Sequence, residues 1–288
     1  MGGKISCVAA GLISAHDAEV RCKFAGLPPA NLNLQQQMAI TRRRLDYDGA
    51  LNNARSSNTA IVSLSIIIPT LNEAENLPAL LDSLQPLRQR GVEVVVVDGG
   101  STDDTAALAH GRADQVIAAP QGRARQMNAG AAAARGEILC FLHADSRLPE
   151  GADGVIIDGL TRSRRSWGRF DVRISGDHPM LRLIAHLMNR RSQFTGIATG
   201  DQGLFVTRSL FEAAGRFPEI ALMEDIAISR QLKIYGAPLC IAHKLTTSGR
   251  RWEKNGVWRT IWLMWRLRLA YWLGADPDKL ALHYVRHN

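Results

Sequence analysis

The sequence predicts an α/β fold on a Rossmann-like, doubly covered and mostly parallel sheet, and three observations carry that prediction. Strand-like and helix-like segments alternate four times between Leu64 and Asp145. The strand-like runs are apolar at consecutive positions, as expected of strands covered on both faces. Each run is followed by polar, acidic or glycine-rich residues, and alternation of this kind belongs to parallel sheets with crossover helices.

The elements follow in order. Leu64-Ser65-Ile66-Ile67-Ile68 reads as a buried strand stopped by Pro69. Glu73 and Glu75 open a helix whose apolar face is Leu77, Leu80, Leu81 and Leu84, spaced i, i+3, i+4, i+7. Val92 to Val97 is the second strand and ends in Asp98. Ser101 and Asp104 flank the next helix in the manner of a capping box. Gln115 to Ala118 is a short third strand, Arg125 to Ala134 an Ala-rich helix, and Ile138 to Leu142 a fourth strand leading into His143-Ala144-Asp145. Beyond Pro149 the rhythm loosens. Strands are expected at Gly168 to Ile174, Gly203 to Thr207 and Leu239 to His243, and helices at Pro179 to Arg190 and Met223 to Tyr235. From Gly256 the chain is helical again.

The 288 residues suit one large domain with additions, or two units at about 150 residues each. Hydrophobic residues make up 46% and charged residues 22%, which excludes a mostly disordered, collagen-like or coiled-coil chain. No uncharged apolar stretch reaches the roughly 18 residues of a spanning helix. Even the best candidate, Val257 to Leu273, is broken by Arg259, Arg266 and Arg268. Residues 1–60 show no sustained period and read as an N-terminal extension outside the main core. Its start, Met1-Gly2-Gly3-Lys4-Ile5-Ser6, fits a myristoylation pattern or an accidental N-terminus. Residues 61–245 form the main domain, and 246–288 a basic, Trp-rich helical segment.

The net charge of +8 is uneven. Residues 61–245 carry 20 basic and 20 acidic groups, whereas 246–288 carry eight and three. A neutral core disfavours a nucleic-acid partner, which would call for a basic stripe on the core itself. The basic tail suits a phosphate grip or a membrane-facing patch. Cys7, Cys22, Cys140 and Cys240 are far apart and form no metal-ligand or disulfide pattern, so a cytoplasmic setting is expected. Cys140 and Cys240 lie in apolar runs and read as buried.

In an open parallel sheet, ligands bind outside the carboxyl ends of the strands. That directs attention to Pro69-Thr70-Leu71-Asn72-Glu73, Asp98-Gly99-Gly100-Ser101-Thr102 and His143-Ala144-Asp145. The glycine pair suits close approach of backbone to a ligand. Asp98 suits either a ribose or base contact, or a turn cap. Asp145 suits a hard divalent cation shared with phosphate oxygens, or a helix N-cap before Pro149. Glu224 and Asp225 suit a general base at a crevice, or first-turn acids favoured by the helix dipole. P-loop and dinucleotide glycine motifs are absent.

With these residues assembled, the chain resembles glycosyltransferase family 2. The residues that carry the resemblance are Pro69-Thr70-Leu71-Asn72-Glu73, Val97 to Asp103, His143-Ala144-Asp145 at the place of the family's D-x-D, and Met223-Glu224-Asp225 at the place of its E-D. The run Gly122 to Gly130 is similar to a bacterial subset, the radical-SAM/selenium-domain-associated transferases. The resemblance spans about Leu64 to Trp252. It implies the GT-A fold and an inverting transfer from a nucleotide-diphosphate sugar to an acceptor hydroxyl with Mg²⁺ or Mn²⁺. It also implies roles. Pro69, Thr70, Glu73, Asp98 and Arg125 would bind the nucleotide, and Asp145 the metal. Asp201, Gln202 and Trp252 would stand on the acceptor side. Asp225 would be the base, with Glu224 beside it.

Two departures matter. His143 replaces the first acid of D-x-D, so metal binding rests on Asp145. Ser248-Gly249-Arg250-Arg251-Trp252 stands where processive relatives carry Q-x-x-R-W, and Ser in place of Gln leaves polymer synthesis unsupported. Arg250 and Arg251 suit closure over a diphosphate, or a solvated basic loop. Trp258, Trp262, Trp265, Leu269 and Trp272 form one helical stripe. Packing of that stripe on the core is the simpler expectation. The other is an interfacial helix, residues 257–273, resting on the inner face of an anionic membrane that carries a lipid-linked acceptor. The alternatives to sugar transfer are a nucleotidyltransferase making nucleotide sugars, or a membrane or nucleic-acid interaction module. The first would show a Gly-rich, Arg-containing loop after the first strand, and Pro69 to Glu73 is not one.

Overall fold

The computed structural model describes Tyr47 and residues 63–285. Apart from Tyr47, the expected N-terminal extension and its myristoylation pattern lie outside the described residues. Tyr47 itself is buried and meets Tyr235 edge-on at 5.5 Å, so this residue of the expected extension belongs to the core.

The first half alternates as expected: β1 (Leu64–Thr70), α1 (Leu77–Gln89), β2 (Glu93–Asp98), α2 (Thr105–Ala109), β3 (Gln115–Ala118), α3 (Arg123–Ala133) and β4 (Ile138–Phe141). The second half holds β5 (Ser146–Arg147), α4 (Ala152–Ser163), β6 (Trp167–Ile174), α5 (Met180–Thr195), a 3₁₀ turn (Gly200–Gln202), β7 (Phe205–Thr207), α6 (Arg208–Ala214), α7 (Glu224–Tyr235) and β8 (Leu239–Thr247). Three helices close the described chain: α8 (Arg250–Asn255), α9 (Val257–Trp272) and α10 (Pro277–Val285).

The strands form one eight-stranded sheet in the order β3-β2-β1-β4-β7-β6-β8-β5. β3, β2, β1 and β4 are mutually parallel; β7 runs against β4 and β6, and β5 against β8. Alternate residues of each strand feed two cores. Ile66, Ile68, Val94 and Val96 pack with Leu77, Leu80, Leu81 and Leu84 of α1 on one face. Ile67, Val95, Val97 and Leu139 pack with Met127 of α3 and Ile228 of α7 on the other. A continuous apolar run is what such double coverage requires.

Several local expectations are corrected. β1 runs through Pro69 to Thr70. The donor that Pro69 lacks would point toward β4, where pairing has already ended at Ile67↔Phe141. α1 starts at Leu77, not Glu73, because Pro78 suits a first helical turn and Glu73 is committed to a tight turn with Asn76. The Ser101/Asp104 box does not form; Asp103 accepts the Thr105 N–H instead, at 3.0 Å. Cys240 is only half-buried, unlike Cys140. β8 extends to Thr247, past the expected domain boundary at residue 245 and well past His243. Its polar run His243-Lys244 hides a strand that pairs with β6 along its length.

Candidate active site

The turns after β1 and β2 are stitched to each other by their polar residues. Asn72 N–H donates to Ser101 Oγ at 2.9 Å, and Thr102 N–H donates to Asn72 Oδ1 at 2.9 Å. Glu73 N–H reaches Thr105 Oγ1 at 2.8 Å, and Ala74 N–H reaches Asp103 Oδ2 at 3.2 Å. Asn72 adopts φ 54°, a left-handed geometry that Asn tolerates better than most residues. From α3, buried Gln126 donates to the Thr70 carbonyl at 2.7 Å and the Val97 carbonyl at 2.9 Å, clamping the two strand ends together. Gly99 is needed for this clamp, since a Cβ there would lie 2.9 Å from the Gln126 amide.

Asp145 is positioned by β5, the two residues that follow it. Ser146 and Arg147 pair with Thr247 and Thr246 at the end of β8. That pairing sets Asp145 beside the Ser248-Gly249-Arg250-Arg251-Trp252 segment, although the two lie about a hundred residues apart in the chain. The segment is pinned in turn at Gly249, where an added Cβ would meet the Ser175 carbonyl oxygen at 2.0 Å. Gly249→Ala must therefore displace the Arg250-Arg251 loop, at about 1–3 kcal/mol in stability, as overpacking does. Weakened binding of a nucleoside diphosphate in titration calorimetry is the expected result, and unchanged affinity would separate this loop from the phosphate.

His143 faces the 3₁₀ turn. Its Nδ1 is 3.5 Å from Asp201 Oδ1, and a Cβ on Gly200 would sit 2.5 Å from the imidazole ring. Partial desolvation favours protonated Asp201, whose side chain is still 47% exposed, but the His143 hydrogen bond and the charges of His143, Arg123 and Arg251 outweigh it and lower the carboxyl's pKa.

These elements surround a cavity of 530 Å³ at the carboxyl ends of β1 and β4. Of the residues singled out in the sequence, Pro69, Thr70, Glu73, Asp145, Asp201, Arg250, Arg251 and Trp252 line it. Arg123, Gln126, His143 and Lys254 line it too. Four cations, Arg123, Arg250, Arg251 and Lys254, thus face three acids, Glu73, Asp145 and Asp201. Across the mouth Arg250 Nη1 meets Glu75 Oε2 at 2.9 Å, an exposed pair of little energetic weight that ties α8 to the turn after β1.

The other expected site residues stand outside the lining. Asp98 is Thr70's neighbour across the β1–β2 ladder, and its carboxylate accepts from the Gly100 and Ser101 N–H groups and the Ser101 hydroxyl. That is the turn-capping alternative. Arg125 points away and pairs with Glu219 at 3.2 Å on the surface, so Arg123, two residues earlier, is the arginine that faces the cavity. Gln202 is fully buried, its amide oxygen accepting from Thr199 N–H at 3.1 Å within a capping box, so it has no surface for an acceptor.

Glu224 and Asp225 open α7 just behind the 3₁₀ turn, where Gly200 N–H donates to Asp225 Oδ2 at 2.9 Å. Glu224 is 6% exposed; burial and the adjacent Asp225 charge raise its pKa, which favours the neutral acid. Arg123, exposed at the cavity, feels these acids too: its desolvation is outweighed by Glu224, Tyr284, Asp201 and Asp225, which raise its pKa. Sequence reasoning missed Arg123 and Gln126. Both lie in the run Gly122 to Gly130, and their i, i+3 spacing on one helix face was the available signal.

Asp145 is half-buried at the cavity. Among the described residues no cluster of three or more His, Cys, Asp or Glu side chains holds a metal alone. The donor set therefore fits a hard cation only as one carboxylate completed by ligand oxygens.

The chain is similar in sequence and fold to known glycosyltransferases. The PGL/p-HBAD biosynthesis glycosyltransferase of Mycobacterium tuberculosis is 44% identical over 93 residues, 30% of this chain and 36% of that protein. An uncharacterized glycosyltransferase of the same species is 36% identical over 90 residues, 31% of this chain and 39% of that protein. The chain thus spans about two-fifths or less of the curated relatives it matches. Among solved structures, a mannosyltransferase from Pyrobaculum calidifontis in complex with GDP-Man and Mn²⁺ superposes with a TM-score of 0.54 at 21% identity, over 86% of this chain and 77% of that one. S. aureus TarS 1–349 in complex with UDP-GlcNAc superposes at 0.51 with 18% identity, over 65% of this chain and 58% of that one. Both share the GT-A type of α/β fold, as expected. The family model for glycosyl transferase family 2 matches residues 65–214, just over half of the sequence, and so the chain belongs to glycosyl transferase family 2.

Proposed function

We propose that this chain is an inverting glycosyltransferase that moves a sugar from a nucleotide-diphosphate sugar to an acceptor hydroxyl. The observation that carries the reading is the cationic cavity at the ends of β1 and β4, with Asp145 and the Arg250-Arg251 loop on one rim. Pro69, Thr70 and Glu73 line the nucleotide end, and the Gln126 clamp fixes Thr70 there. Arg123, Arg250 and Arg251 grip the diphosphate, for which the guanidinium fork is well shaped. Asp145, completed by diphosphate oxygens, would hold Mg²⁺ or Mn²⁺, which supplies charge neutralisation on the leaving group.

Asp225 is the base. Its oxygens accept from Gly200 N–H and Ile226 N–H, which orient it and leave lone pairs for the acceptor proton. The raised pKa of Glu224 beside it lessens like-charge repulsion. The run Gly122 to Gly130 supports placing the chain in the radical-SAM/selenium-domain-associated subset. The test is a thermal-shift screen of nucleotide sugars with and without Mn²⁺. At ligand 100-fold above Kd, bound donor is expected to add about 2.7 kcal/mol of stability. No shift with any nucleoside diphosphate sugar would reject the reading.

The acceptor is presented at a membrane surface. No helix among the described residues is long and apolar enough to cross a membrane. Yet Trp258, Trp262, Trp265 and Trp272 on α9 are 63–71% exposed, so the expected packing of this stripe on the core is corrected. α9 buries Val257, Thr260, Leu263 and Leu267 instead. Among the described residues, the exposed large apolar side chains lie on α5 and from α9 onward, beside exposed Arg259 and Arg266. Aromatic and basic residues on one exposed face suit an anionic lipid interface. Phosphatidylserine vesicles are expected to co-sediment the protein at low salt. Replacing the four tryptophans with Gln should abolish this, and equal sedimentation of the variant would remove α9 from the contact.

A further inference from the structure

Three helices converge beside Asp225. Ile197, just past α5, packs with Met223 and Ile226 at the start of α7 and with Leu263 and Leu267 of α9. Among the described residues, two arginines on these helices carry guanidinium nitrogens without a hydrogen-bond partner. Nε and Nη2 of Arg191 on α5, and Nε of Arg268 on α9, are enclosed and make no hydrogen bond, while each residue keeps some accessible surface. Arg191 lies three residues after Met188, which lines the cavity, and so shares its helix face. Buried guanidinium groups are costly to leave unsatisfied, and such groups call for a ligand or a catalytic explanation.

Enclosed guanidinium donors that no acceptor satisfies call for an anion. Burial and the Arg268 charge lower the pKa of Arg191 to about 10, against the pull of Asp225 and Asp201. Arg268 is lowered by burial against the same two acids. Arg169, the other cation near Arg191, is already bound to Asp171 and Ser192. Arg191 and Arg268 both feel Asp225 and Asp201, yet their enclosed nitrogens bond to neither acid, which leaves them open to an anionic oxygen. Arg268 also sits on the helix whose outer face carries the exposed tryptophans, so an anion at this point lies within one helix diameter, about 10–12 Å, of the proposed lipid surface.

We propose that Arg191 and Arg268 form an acceptor subsite that grips the phosphodiester of a lipid whose polar head carries the accepting hydroxyl. The subsite rests on the sugar-transfer reading, and it adds the chemical class of the acceptor. The phosphoryl charge between the two guanidinium groups anchors the head, while the hydroxyl beyond it reaches Asp225.

Short-chain phosphatidylglycerol, which has a phosphodiester and free hydroxyls, is the probe for titration against the full chain. Inorganic phosphate and octyl glucoside serve as the soluble anion and the uncharged amphiphile. Each charge-assisted contact should contribute about ten-fold, so Arg191→Gln/Arg268→Gln should bind the lipid about 100-fold more weakly. The nucleotide-sugar thermal shift should be unchanged in the same variant. Equal lipid affinity in variant and wild type overturns the subsite. Octyl glucoside binding wild type as tightly as phosphatidylglycerol overturns it too, and that comparison decides the matter if the double variant does not fold. Inorganic phosphate binding as tightly as the lipid, with the same arginine dependence, assigns the site to a soluble anion and overturns the lipid. Arginine-dependent lipid binding without any nucleotide-sugar shift would uphold the subsite and reject the donor reading instead.

Discussion

Asp225→Asn should bind the nucleotide sugar as the wild type does and transfer it about 10²–10⁴-fold more slowly, the range a positioned general base contributes. The substitution preserves shape at a residue that does not line the donor cavity, so the donor has no reason to respond. One oxygen is left for the Gly200 N–H, and the 3₁₀ turn keeps its support. What disappears is the carboxylate that takes the acceptor proton. A single-turnover measurement with saturating donor separates the two effects. Near-normal turnover would remove Asp225 from the base role, and lost donor affinity would show that it acts by holding the turn.

Asp145→Ala should have its largest effect one step earlier. Asp145 is the only acid of the His143-Ala144-Asp145 segment, and no cluster of three ligating side chains stands among the described residues to take its place. The Mn²⁺-dependent part of donor binding should therefore vanish. At donor 100-fold above the wild-type Kd this removes at most about 2.7 kcal/mol of stabilisation. For a chain of this size that amounts to a fall of about 5–10 °C in the ligand-induced Tm shift. Without Mn²⁺, variant and wild type should respond alike. A Mn²⁺-dependent shift that survives in the variant would exclude Asp145 as the metal's anchor.

The two apolar stripes of α9 show where reading a sequence stops. Trp258, Trp262, Trp265, Leu269 and Trp272 follow a helical period, and so do Val257, Thr260, Leu263 and Leu267. Periodicity reports that a face exists but not which face meets the core. The second stripe is the buried one, because the smaller aliphatic side chains fit against Met223 and Ile226 while the indoles stay outside. The Arg123/Arg125 exchange has a similar origin. Two residues along a helix is about 200°, so only one of the pair can face the cavity. Starting the helix at Arg125 left Arg123 out of the comparison, whereas α3 begins at Arg123 itself.

Short-range patterning alone determined that β1, β2 and β4 are buried strands in a covered parallel sheet, and that a cavity lies at strand ends, although of these three only the ends of β1 and β4 line it. The apolar runs Ile66 to Ile68, Val94 to Val97 and Ile138 to Phe141 state this directly, since an unbroken apolar strand has no stable place except between two layers. Tertiary structure decided which polar groups share the cavity. Asp145 reaches the arginine loop because Ser146 pairs with Thr247 across 101 residues, and Arg250 reaches Glu75 across 175. Asp98 turned inward to its own loop, where the Gly100 and Ser101 N–H groups hold its carboxylate. Contacts at such separations depend on chain closure around the finished cores, and local periodicity carries no information about that closure.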